Sequence, residues 1–258
     1  MLLKLAAAEF QRQVRRASVW VPGALLLLLG VLSVIMEQAQ MGGYRDTHQN
    51  SPYAIADRIL VGSFLLVLMN ATMADASVRH RPECASPGAT GEAQVIGSFL
   101  GILAVSSIVL ATIPLGIWIG TLVPGVSPER LGANRAVAYF APYVILGLPN
   151  LLLSSTFFLA AASFERSRLG ILLALLAFVA MWAASLTLRQ SGGAGELLEP
   201  FGATAYFAAT AGWTAAERNS IVFGAFEALI ANRILWLAAS AALLFLAWRR
   251  NQKRAATP

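Results

Sequence analysis

Few side chains in this chain could do chemistry, and their placement excludes most enzyme classes. The two histidines, His48 and His80, and the single cysteine, Cys84, stand in polar stretches, with an apolar run between His48 and the other two. A His-Glu-x-x-His zinc motif is absent, as is the Gly-x-x-x-x-Gly-Lys-Ser/Thr loop that cradles nucleotide phosphates. No Gly-x-Ser-x-Gly elbow occurs, and no histidine is placed to activate a serine. One cysteine cannot build a disulfide framework within the chain. The expectation is a chain with no catalytic residues, no metal ligands and no cofactor of its own.

The carboxylates stay at the margins of the apolar runs, where burial does not penalise them. Asp75 falls at the end of the second run and Glu227 at the start of the last. Glu227 and Arg233, six apart, are poorly placed to pair along one straight helix, so a loop-anchoring role is expected. Inside the runs the polar residues are small: Asn70, Ser106, Ser107, Asn150, Ser154, Ser155 and Thr156. Such groups either bond neighbouring helices together or line a polar path. Pro142 and Pro149 interrupt the fourth run and predict either a packed kink or a gating hinge.

The elements that position these residues follow from composition. Of the 258 residues, 57% are apolar and only 12% charged, about half the charge of a soluble domain. Charge-free stretches of about 20 residues match a hydrocarbon core roughly 30 Å thick. The reading is an all-α membrane protein, a six-helix bundle with spans near 18–36, 55–74, 95–123, 137–164, 169–188 and 228–248. Residues 1–17 predict an amphipathic surface helix, with Leu3, Ala6 or Ala7, Phe10 and Val14 on its apolar face. Residues 249–258 form a basic tail. The segment before the last span holds apolar stretches too short to cross, which predicts external re-entrant or interfacial helices. No cleavage pattern follows Met36, so the first span is expected to remain.

The formal charge of +6 lies on the flanks of the spans rather than on one face, which argues against nucleic acid and for contact with membrane lipids. With the N-terminus inside, 12 Lys and Arg fall in the cytoplasmic segments and 7 in the external ones. Both termini are therefore expected in the cytoplasm.

The ordered pieces Glu9-Phe10, Asn50-Ser51-Pro52-Tyr53-Ala54, Gly97-Ser98-Phe99-Leu100-Gly101, Pro114-Leu115-Gly116 with Ile119-Gly120, and Leu148-Pro149-Asn150-Leu151-Leu152 carry a resemblance. So do Glu199-Pro200-Phe201-Gly202-Ala203, Trp213-Thr214-Ala215-Ala216-Glu217-Arg218-Asn219 and Asn232-Arg233-Ile234-Leu235-Trp236-Leu237. Together they cover most of the chain, which resembles an ABC-2-type ABC transporter permease. The similar branch comprises permeases fused to, or encoded near, a zinc aminopeptidase domain. The resemblance implies a bacterial cytoplasmic (inner) membrane exporter subunit. It pairs with a second permease copy or paralogue and with two copies of an ABC ATPase, which carry the ATP and Mg.

On that resemblance, Phe10, Arg15, Arg16, Asp75, Arg79, Arg81, Ser86 and Pro87 would transmit the ATPase movement. Asn70, Pro142, Pro149, Asn150, Ser154 and Ser155 would line or gate the path, and Glu199, Phe201, Trp213, Glu217, Arg218 and Asn219 would form an external cap. Ala74 stands where the family loop carries an arginine, a change that suits one half of a heterodimer. The alternative reading is a non-transporting scaffold or accessory subunit of a membrane complex. An ion-coupled carrier would need midplane carboxylates, and the spans have none.

Overall fold

The computed structural model describes residues 1–36, 46–79, 91–165, 167–188, 192–222 and 226–255. Arg81, Ser86 and Pro87, with His80 and Cys84, lie outside the described residues. Among the described residues every regular element is helical, and six helices are long and apolar enough to cross a membrane. These run over Ala17–Ile35, Pro52–Arg79, Ala93–Gly120, Ala136–Phe164, Leu169–Leu188 and Glu227–Gln252. The chain is thus a multi-pass helical membrane protein. An even number of spans brings both termini to one end of the bundle, the near end; the opposite end is the far end.

The first helix, α1 (Leu2–Val14), precedes α2 (Ala17–Ile35), the first span. The second span starts where Ser51 accepts the Ala54 amide hydrogen and Pro52 takes an early position whose N–H would go unused. It divides at Leu66 into α3 (Pro52–Leu65) and α4 (Val67–Arg79). The third divides at Ala111 into α5 (Gly91–Leu110) and α6 (Thr112–Gly120). In the fourth, α7 (Ala136–Pro142) passes through a wide π-turn at Tyr143–Gly147 into α8 (Leu148–Phe164). The Leu148 amide reaches back five residues to the Tyr143 carbonyl. A widened turn absorbs the missing donors of both prolines, so the ladder is stretched rather than broken.

The fifth span is α9 (Arg168–Leu188). Three short helices follow, α10 (Gly193–Leu198), α11 (Ala203–Thr210) and α12 (Ala215–Ser220), before the last span, α13 (Glu227–Ala255).

The core lies between α4, α5, α8 and α13, while α9 turns a leucine-rich face outward. Close packing of α2 on α6 depends on small residues: a Cβ on Gly116 would lie 2.3 Å from the Leu27 carbonyl oxygen. Without a hydrophobic force between helices in lipid, such backbone approach and interhelical hydrogen bonds hold spans together.

Candidate functional site

Three residues of the second span, Ser63, Asn70 and Ser77, are spaced by seven and drift only about 20° per repeat, so they share one face. All three are buried, and each meets a different partner. They form a polar seam running from the far end to the near end.

At the middle tier, Asn70 donates to the Ser154 hydroxyl at 2.6 Å and accepts from Ser106. Helices α4, α5 and α8 are thereby joined through one amide. Toward the far end, Asn150 donates to the Ser63 hydroxyl at 3.1 Å and accepts from the Arg233 guanidinium at 3.0 Å. Of the residues expected on a path or gate, Asn70, Asn150 and Ser154 thus sit inside the bundle, bonded across helices. Ser155 is buried beside them, Pro142 closes α7, and Pro149 opens α8.

The far end is built around three buried arginines, Arg58, Arg218 and Arg233. Arg233 also donates to the Asn232 side chain and to the Pro200 carbonyl at 3.3 Å. Asn232 points its amide at the Glu196, Leu197 and Glu199 carbonyls, at 2.8, 2.9 and 2.7 Å. Three acceptors converge on two hydrogens, so at least one is shared. Gly202 adopts φ +70°, and a Cβ there would lie 2.3 Å from the guanidinium of Arg233. Only glycine accommodates both the left-handed turn and that contact.

The Glu199 carboxylate accepts the Phe201 and Thr204 amides at 2.8 and 3.1 Å, satisfying the entry to α11, and interacts electrostatically with Arg233. Arg58, on α3, donates to the Gln49 carbonyl, to its side chain at 2.7 Å and to the Ser33 carbonyl at 3.0 Å. That joins the start of the second span to the end of the first.

The segment before the last span closes over this end. Phe201 is buried against Phe64 and Phe178. Trp213 meets Phe226 edge-on, and buried Arg218 lies 5.1 Å over the Tyr53 ring. Glu217 and Thr214 form a reciprocal cap on α12, Thr214 donating its amide at 2.7 Å and its hydroxyl at 2.8 Å to the carboxylate. The Thr214 bonds, the amide first, hold the Glu217 carboxyl below its ordinary pKa. Asn219 ties the segment to the first loop, accepting the His48 amide at 2.7 Å and donating to the Asp46 carbonyl at 3.0 Å.

The near end is organised by α1. Glu9 and Gln13 are buried against α4: Gln13 donates to the Ser77 hydroxyl at 3.0 Å and the Met73 carbonyl at 3.2 Å, and Ser77 donates to Glu9. Arg12 pairs with Glu9 and reaches the Ala76 carbonyl at 3.4 Å. Helix α5 admits α1 through Gly97 and Gly101, where a Cβ would lie 2.8 Å from the Leu5 Cβ and 2.6 Å from the Glu9 Cγ.

The expected apolar face of α1 is split. Phe10 and Val14 pack against the core, but Leu3 is 80% exposed, and the sides turned inward carry Glu9 and Gln13. Polar groups can face the bundle here because Ser77 and backbone carbonyls satisfy them.

Of the residues expected to couple to a partner, Arg15 is exposed and Arg16 donates to the Gln13 side chain at 3.3 Å. Asp75 pairs with Arg79 one turn on, at 2.7 Å. Glu9, Gln13, Ser77, Arg58 and Asn232 were not among the expected site residues. The seven-residue spacing of Ser63, Asn70 and Ser77 was a legible signal for one of them.

No group of three or more metal-ligating side chains occurs among the described residues. The arrangement contains buried cations, amides and hydroxyls that hold helices in register. No family model, curated protein or solved structure matches this chain.

Proposed function

We propose that this chain is the membrane-spanning permease subunit of an ATP-driven exporter. It would pair with a second copy or paralogue and take its energy from two ATPase subunits docked at the near end. In this reading the near end faces the cytoplasm of a bacterium, as the distribution of Lys and Arg favours. The observation that carries the reading is the keyed seat of α1. A short helix joined to the first span lies across the entry of the third span and the exit of the second, fixed by Glu9, Gln13 and two glycines. A push on α1 or on the Asp75–Arg79 corner would pass directly into three spans.

The scaffold alternative also has an observation in its favour. Asn70, Asn150 and Ser154 bond one another's helices instead of lining an open polar channel. In a permease dimer the path would run between two copies, outside this seam.

Purification from the native membrane separates the two: an exporter subunit brings down a P-loop ATPase whose turnover it stimulates. The variant Asp75→Arg removes the pair with Arg79 and places like charges one turn apart. It is expected to insert normally and to lose ATPase assembly or stimulated turnover. Unchanged stimulated turnover would remove Asp75 from the coupling surface, and absence of any ATPase companion would leave the scaffold reading.

A further inference from the structure

Between α2 and the α3–α4 junction lies a groove of about 510 Å³ that starts at the near end and reaches toward the middle of the bundle. Its floor is made by buried Leu26, Leu66 and Met69, and its lips by the exposed side chains of Leu25 and Leu68. It exists because α2 packs chiefly against α6 and only lightly against α3 and α4. Ser18 and Thr72 stand at its near-end mouth. The Thr72 hydroxyl is already bonded within its own helix to the Met69 carbonyl, at 2.8 Å.

Just beyond Ser18, at the corner between α1 and α2, are Arg15 and Arg16. Neither forms a salt bridge among the described residues, unlike Arg12, which pairs with Glu9, and Arg79, which pairs with Asp75. Trp20, half-exposed beside them, has its indole N–H committed to the Val14 carbonyl at 2.7 Å and turns its ring to the surroundings. Aromatic rings and cations at a span's end are headgroup-level features.

We infer that this groove is a binding site for one anionic glycerophospholipid of the near-side leaflet, an acyl chain lying over Leu26, Leu66 and Met69 and the phosphate held by Arg15 and Arg16. Charge selects this occupant over a second copy of the chain. A two-fold interface centred on the groove would bring the same patch of both copies together, setting arginines against arginines, whereas an anionic headgroup neutralises them. The site does not depend on an ATPase companion, so its test is independent of the exporter proposal.

The test uses the purified full chain in bilayer discs of equal phosphatidylglycerol and phosphatidylcholine. Extraction in mild detergent is followed by native mass spectrometry of retained lipid. Wild type should keep phosphatidylglycerol in preference to phosphatidylcholine. The double variant Arg15→Gln with Arg16→Gln should lose about thirtyfold of that preference, from roughly one headgroup interaction per arginine. Leu25→Trp, which fills the mouth from an exposed position, should lose retention of both lipids; Leu68→Trp on the opposite lip serves if the first variant folds poorly.

Preference unchanged in the double variant would overturn the proposal, because the arginines would then not read the headgroup. Retention unchanged in both tryptophan variants would place the lipid elsewhere. Conversion of a dimer to a monomer by Leu25→Trp, with no loss of lipid, would make the groove an interface between copies.

Discussion

At the near end, a helix outside the spans is held mainly by side chains bonding to side chains, Glu9 and Gln13 with Ser77 and Arg12 with Glu9, beside a small pocket of about 30 Å³ lined by Leu5, Arg12 and Ser98 among others. At the far end, Asn232 is bonded to three backbone carbonyls of the segment before the last span, while Arg58 and Arg233, also inside the spans, each combine backbone carbonyls with side-chain acceptors. The two differ in what must break before they move. Sliding α1 exchanges the buried polar contacts of Glu9 and Gln13 and moves Arg12, whose side chain stays partly exposed. Moving the far-end segment strips a buried guanidinium of its acceptors, a cost that rises in a poorly solvated site. The lesson is that the same kinds of residue can make a seat at one end of a bundle and a lock at the other.

The contrast can be broken most directly at Arg233. Replacing it by methionine leaves Asn150, Asn232 and the Pro200 carbonyl without their donor and Glu199 without its neighbouring cation. Loss of roughly 3–5 kcal/mol is expected, read as a large fall in Tm in detergent and rapid proteolysis around 196–204. A Tm within a degree of wild type would mean that the far end is no lock.

Gly101→Val should act at the other end and more gently. Its branched side chain enters the space of Glu9 at a cost of about 1–3 kcal/mol. The outcome expected is displacement of α1, with faster tryptic cleavage at Arg12, Arg15 and Arg16 and little change in bundle unfolding. Equal loss of the whole bundle would erase the distinction between seat and lock.

Glu9→Gln sharpens it further. The amide keeps the reach to Ser77 but gives up the charge that pairs with Arg12, for an expected cost of about 1 kcal/mol. Hydrogen exchange over residues 5–14 should rise modestly while that over 148–156 stays as it was.

The smallest effect lies at the α12 cap. Because its bonds to Thr214 lower the Glu217 carboxyl below its unfolded value, the cap contributes fully above that unfolded value. It is lost as pH falls through the lower folded value. The Thr214 amide resonance should follow that titration, and in Glu217→Gln the acid-dependent shift should vanish. A Thr214 shift that persists in that variant would assign the effect to another group.

Much of the architecture was legible because each span is long, apolar and nearly charge-free. The six boundaries expected from 18–36 through 228–248 fall close to the observed helices, although the second begins at Pro52 and the last extends to Gln252. Asn70, Asn150 and Ser154 were recognisable as unusual because amides and hydroxyls are costly in hydrocarbon unless bonded. Their partners were not, since Ser154 is far from Asn70 along the chain and hydrophobicity carries no information about which helix is adjacent. Glu9 and Gln13 fell within the expected amphipathic surface helix with no inward role given to either. Nothing local marks a carboxylate as buried when its partner, Ser77, comes from another span.

Sequence alone determined that this chain carries six stretches long and apolar enough to cross a membrane, because chain length and hydropathy must match a bilayer whatever the packing. Only the tertiary structure decided which polar residues meet, which glycines let α1 and α2 approach their neighbours, and why Arg233 is tolerated inside the bundle. Those outcomes depend on distances between segments remote in the chain. In lipid, where burial of apolar surface does not choose partners, close backbone approach and satisfied polar groups make that choice.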